Sequence, residues 1–217
     1  MTVEPQGRLR ADARRNRDQI MAAAKAVFVE SGFHVPMEEI ARRAGVGVGT
    51  LYRRFPDREA LVRDVAEESL RALLAEARAA ATEEPAPWDA LVRLMRSRDL
   101  RLSVRLVMLS ARLWHAIRDD PGSRRFRAEI MAVLDGLVRG AQAAGAMRAD
   151  VGAGDVVALV SLLLRQVPTG FDEVSEVVLE RALVLMLDGL RADPGSPLPG
   201  RPVTTDDLDQ LSRSAPS

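Results

Sequence analysis

EEIARRAGVGVGTLYRRF, residues 38 to 55, carries three closely spaced glycines and the chain's one tyrosine, Tyr52. A glycine-rich run beside basic residues suggests a phosphate-cradling loop, but the spacing is G-x-G-x-G, whereas dinucleotide sites use G-x-G-x-x-G after a strand. Neither Gly-Lys-Ser nor Gly-Lys-Thr is present, so a P-loop is excluded too. The stretch instead reads as a short helix, a tight glycine-bearing turn and a second short helix, the form of a helix-turn-helix. Ile40, Ala41 and Ala44 are placed to pack on Val46, Leu51 and Phe55, which leaves Val48, Gly49, Thr50, Tyr52, Arg53 and Arg54 facing outward. Gly45 reads as a helix stop, and turn geometry is the simplest role for Gly47 and Gly49.

Outward from this motif the chain is helical throughout. Apolar residues recur at i, i+3 and i+4, and no sustained period-2 alternation marks a strand. The pattern predicts a first helix over 14–31 with Ile20, Ala23, Ala24, Val27 and Phe28 inward, then a short helix opened by Pro36 with Met37 inward, then one over 47–55. Asp57 is a good N-cap for a long helix over 58–80 with Leu61, Val65, Leu73 and Leu74 inward. Later helices are expected over 88–100, 103–119, 122–144, 154–167 and 173–191, about nine in all, separated by Pro- and Gly-containing breaks. The last two are apolar nearly all round, which calls for burial both in a core and in an interface. The expected organisation is a disordered basic arm over 1–13, a three-helix head over 14–57, a helical bundle over 58–192 and a disordered Pro/Ser/Gly tail over 193–217.

Composition narrows the function classes. With no cysteine and only two histidines, His34 and His115, in no H-x-x-x-H pattern, neither a disulfide nor a thiolate or histidine metal site is expected, and no cofactor is implied. No Ser/His/Asp arrangement at known spacing points to catalysis, so the chain does not read as an enzyme. No apolar run approaches the ~20 residues of a membrane span and the N-terminus lacks a signal-peptide core, which leads to the expectation of a cytoplasmic protein. The formal net charge is +0, yet residues 1–64 hold 12 basic and 9 acidic side chains, so a mildly basic head sits on an acidic body. That asymmetry suits a polyanion-binding module.

The stretch from Asn16 to Val65 resembles the N-terminal domain of the TetR family of one-component transcriptional regulators. The components occur in order: Ile20 with Ala23 and Ala24, Phe28 before Gly32-Phe33, Ile40-Ala41, Ala44-Gly45-Val46, Gly49-Thr50-Leu51-Tyr52, and Phe55-Pro56 before the helix that Asp57 opens. Beyond Val65 the resemblance is one of architecture only. It implies that Thr50, Tyr52 and Arg53 lie on the recognition helix, that Tyr52 meets a DNA phosphate, and that Arg58 anchors the backbone at a helix start. Two departures stand out. Many relatives carry Ser-Lys at the positions of Gly47-Val48, so a phosphate contact is exchanged for a side chain able to touch a thymine methyl. Most carry Thr or Ser at the position of Pro36. Arg8, Arg10, Arg14 and Arg15 form a basic arm for which minor-groove insertion is the alternative to a plain disordered tail.

The resemblance further implies a homodimer on a palindromic operator, repression as the usual output, and release by a small molecule bound in the body. Met95, Arg105, Met108, Ser110, Arg112, Trp114, His115, Arg165 and Gln166 interrupt otherwise apolar faces of the body, the mixture a concave ligand pocket uses. The effector is unknown, and packing accounts for each residue singly. The alternative reading is an all-helical small-molecule-binding or interaction protein without specific DNA binding.

Overall fold

The computed structural model describes residues 5–31, 35–108, 120–166, 173–193, 198–204 and 206–207. Their regular structure is helical: α1 (Pro5–Ser31), α2 (Met37–Ala44), α3 (Val48–Arg54), α4 (Arg58–Glu83), α5 (Pro87–Arg96), α6 (Arg98–Met108), α7 (Pro121–Ala143), α8 (Ala153–Gln166) and α9 (Glu173–Gly189). No strand occurs among the described residues, and one isolated antiparallel bridge joins Met147 to Arg191.

Three expectations are corrected. The stretch expected as an arm over 1–13 is helical from residue 5 onward, where α1 begins at Pro5. Proline's fixed φ suits the first helical position, and apart from Gly7 the Gln, Arg, Leu and Ala that follow are good helix formers. The helix expected over 88–100 ends at Arg96, and α6 starts at Arg98. Ser97 makes that break: its backbone is extended, and its Oγ accepts the Leu100 N–H at 3.1 Å as an N-cap. The tail is not disordered throughout either, since Leu198 to Thr204 lie against the start of α8, as described below.

Two apolar clusters organise the molecule. The head core gathers Ile20, Val27 and Phe28 of α1, Ile40 and Ala41 of α2, Leu51 of α3, Phe55, and Leu61, Val62, Val65 and Ala66 of α4. The body core holds Leu70, Leu73 and Leu74 of α4 with Trp88, Leu91 and Leu94 of α5, Ile130 and Leu134 of α7, and Val156, Val160, Leu179 and Leu183 of α8 and α9. Fully burying one such side chain contributes ~1.5–3 kcal/mol, so these clusters outweigh the surface ion pairs in holding the helices. The expected boundary after residue 57 therefore shifts, because the first two turns of α4 belong to the head's core.

Two helices serve both cores. α4 does so along its length, and α6 does so across its width: Leu102 packs on the head cluster, while Leu100 and Val104 pack on the body cluster. Arg17 and Lys25 of α1 reach Asp64 and Glu68 of α4 at 2.9 and 2.7 Å, which aligns the head along the lever-like α4. At the far end Arg93 gathers Glu76, Glu83 and Glu84 at 2.9, 2.8 and 3.2 Å across the α4–α5 turn.

Candidate nucleic-acid interface and effector region

The turn between α2 and α3 follows from a single glycine. Gly45 adopts φ 67°, a left-handed conformation that L side chains rarely take, and ends α2. Its N–H donates to Arg42 O at 3.2 Å and the Val46 N–H to Ala41 O at 3.1 Å, the paired bonds of a Schellman ending. Val46 then folds back onto the head cluster. Gly47, in ordinary extended backbone at φ −67°, caps α3 through its carbonyl, which accepts the Thr50 and Leu51 N–H groups at 2.8 and 3.1 Å.

Gly47 and Gly49 are not needed for the turn. Neither has positive φ, a Cβ on Gly47 would meet only Thr50 Oγ1 at 3.9 Å, and one on Gly49 would meet nothing within 4 Å. Turn geometry was the simplest expectation for both, and the conformation does not require it. Pro36 likewise stands one residue earlier than expected, as the extended residue before α2, with no side-chain cap.

α3 divides cleanly into two faces. Leu51 is fully buried and Phe55 nearly so, anchoring the helix on α2 and α4. Val48 (40% exposed), Gly49, Tyr52 (42% exposed), Arg53 and Arg54 face solvent, and Thr50 is half-buried. Arg53 donates to Thr50 Oγ1 at 3.1 Å, one turn back, which orients the guanidinium along the helix. The Tyr52 hydroxyl donates to Glu38 Oε1 at 3.4 Å, a weak bond from α3 to the first turn of α2. Sequence reasoning singled out the tyrosine but not Glu38. Asp57 Oδ1 accepts the Ala60 N–H at 2.7 Å and caps α4 as expected, which puts Arg58, half-buried and engaged, at the first position of that helix. Arg42 pairs with Glu39, whose carboxyl it holds below the usual range by donating to it, and Arg43 pairs with Glu30 of α1. Arg42 and Arg43 stay exposed but paired with carboxylates, whereas Arg53 and Arg54 of α3 face solvent without an ion pair among the described residues.

In the body, Met95 is buried and lines a recess of about 20 Å³ with Arg96, Arg101, Val160, Leu164 and Leu183. That is room for about one water molecule. Arg96 and Glu180 pair at 3.0 Å at this recess. Arg105 and Met108 fall on the last turn of α6, and Arg165 and Gln166 on the last turn of α8. Ser110, Arg112, Trp114 and His115 lie outside the described residues, as does His34. Among the described residues no group of three metal-ligating side chains occurs, and no helix is long and apolar enough to cross a membrane. Ser103 of α6 was not singled out from the sequence; it is 5% exposed, and its hydroxyl has no hydrogen-bond partner.

Comparison with known proteins agrees with this arrangement. Residues 20–65 match the model of the bacterial regulatory proteins of the tetR family, and residues 86–192 match that of the C-terminal domain of SbtR-like transcriptional regulators. A TetR transcriptional regulator of Streptomyces coelicolor is 32% identical, with a TM-score of 0.61 over 83% of this chain and 99% of its own. A TetR regulatory protein of Mycobacterium vanbaalenii is 38% identical, with a TM-score of 0.57 over 84% and 99%. An HTH-type transcriptional regulator of Staphylococcus aureus is 40% identical over 63 residues, which span 29% of this chain and only 34% of that relative's length. These relatives are named as regulators of transcription and not as enzymes. With its helix-turn-helix DNA-binding head and its all-helical body, the chain belongs to the TetR family of transcriptional regulators.

Proposed function

We propose that the protein is a cytoplasmic, ligand-responsive repressor that binds a palindromic operator as a homodimer. The observation that carries this reading is the two-faced α3: Leu51 and Phe55 fix it rigidly, while Val48, Gly49, Thr50, Tyr52, Arg53 and Arg54 face outward as one surface. In this reading Tyr52 and Arg54 meet phosphates, Arg53 meets a base edge or phosphate, Val48 touches a thymine methyl, and Arg58 holds the backbone at the start of α4. Gly47 and Gly49, free of any demand within the chain, admit a DNA backbone close to α3. Pairing of the chain with a symmetry mate rests on α8 and α9 of the body, whose buried Val156, Val160, Leu179 and Leu183 leave Leu159, Leu162, Val177, Val178 and Leu185 exposed on the other face.

Release by an effector has a route through α6, which touches both cores and contributes Arg101 to the small recess. A molecule that opens the recess among α5, α6, α8 and α9 displaces α6 against Leu102's seat in the head. It acts only if it binds the DNA-incompetent arrangement more tightly. Gel shifts with the protein's own upstream DNA across a salt series test the reading: specific binding with a steep loss of affinity in salt is expected. Absence of binding at low salt overturns it in favour of a helical interaction protein.

A further inference from the structure

The described part of the C-terminal segment begins at Leu198, beyond residue 192 where the matched family stretch ends, and it returns to the start of α8. Two carboxylates receive it. Asp150, already held bidentately by Arg148 at 2.6 and 2.9 Å, accepts the Leu198 N–H at 3.1 Å. Asp155 Oδ2 accepts the Val203 N–H at 2.9 Å and the Gly152 N–H at 2.8 Å, so one oxygen ties the segment to the residues that open α8.

The backbone beneath is shaped for this contact. A Cβ on Gly152 would lie 2.4 Å from Val203 O, and one on Gly154 would lie 2.4 Å from Thr204 O and 2.5 Å from Val203 O. Neither glycine has positive φ, so backbone conformation does not call for glycine at either position. Gly154 stands inside the first turn of α8, where glycine is disfavoured relative to alanine. The segment is also braced internally: Arg201 pairs with Asp207 through two bonds of 2.6 Å, and Asp207 accepts the Thr204 N–H at 2.8 Å.

We propose that residues 198–204 form an intramolecular strap, that Asp150, Gly152, Gly154 and Asp155 are its dock, and that the docked strap sets the N-terminal end of α8 and thereby strengthens pairing through α8 and α9. The coupling to pairing rests on the homodimer reading above; the docking does not.

The test uses full-length Gly154→Ala, with Gly136→Ala as a control at an exposed helical glycine whose Cβ would meet nothing within 4 Å. In the absence of a strap, both substitutions replace a helical glycine by alanine and raise Tm. With the strap docked, Gly136→Ala raises Tm, whereas Gly154→Ala lowers it and speeds amide exchange at Leu198 and Val203 by about tenfold or more. Val203→Pro, which deletes the N–H bonded to Asp155, reproduces the Tm loss, and adding Gly154→Ala to it costs nothing further. Unchanged exchange at Leu198 and Val203 in Gly154→Ala overturns the strap. Faster exchange with an unchanged midpoint of dimer dissociation overturns the coupling alone. A wild-type chain that is monomeric at all concentrations removes the dimer reading and the coupling, while the exchange result still decides the docking.

Discussion

At the scale of single residues, Tyr52 is poised but not idle. Its phenol donates weakly to Glu38, so in the proposed DNA contact the hydroxyl exchanges a carboxylate acceptor for a phosphate one, and the net gain is smaller than for a hydroxyl facing water alone. Tyr52→Phe is expected to weaken binding to all DNA sequences by ~0.5–1.5 kcal/mol without changing Tm, measured by titration of operator and unrelated duplexes. Loss confined to one base position would contradict a phosphate role. The residue's outward place on α3 was legible in the sequence because the motif is local and its residues are neighbours in the chain. Glu38 was not, since its nearness to Tyr52 depends on the angle at which α3 leaves the Gly45 turn.

At the scale of elements, α6 is the piece whose two cores make it sensitive. It carries Ser103, a buried hydroxyl without a hydrogen bond, in a helix that packs on the head through Leu102. An unsatisfied buried hydroxyl is destabilising, so Ser103→Ala is expected to raise stability by about 1 kcal/mol in urea titration. A loss of stability instead would mean that the hydroxyl is satisfied in solution. The break that creates α6 was missed in the sequence because apolar periodicity runs across residue 97, and a lone serine carries little weight against it. The Gly45 ending and the Asp57 cap were legible because each is local chemistry: one residue's conformational freedom, one carboxylate three residues before an N–H.

At the scale of the whole molecule, the proposed dimer places assembly on the exposed apolar face of α8 and α9 and on the strap at its base. Leu185 is 70% exposed and Leu162 56%. Leu185→Glu, paired with Leu162→Glu, is expected to shift sedimentation from dimer to monomer with little change in helicity, and to reduce operator affinity with it. A variant pair that stays dimeric would exclude this face. Acid tests the Arg148–Asp150 pair beneath the strap. Donation from Arg148, and secondarily from the Leu198 N–H, holds the Asp150 carboxyl well below its usual range. Its stabilisation is therefore complete above the ordinary aspartate value of about 4 and fades as pH falls below it, because the unfolded chain takes up the proton first. Asp150→Asn is expected to be less stable than the parent at pH 7, with the gap in urea midpoint narrowing below about pH 4.

The all-helical class, the helix-turn-helix and its outward residues, and the two apolar closing helices were readable from the chain, since each rests on periodicity or on chemistry within a few residues. Three features were decided only by the tertiary structure: the division of α4 between two cores, the bridging position of α6, and the return of Leu198–Thr204 to Gly152 and Gly154. Each joins residues distant in the chain, and no local pattern encodes such a meeting. The reason is clearest at residues 152 and 154, where a Cβ would run into the backbone carbonyls of Val203 and Thr204, some fifty residues on.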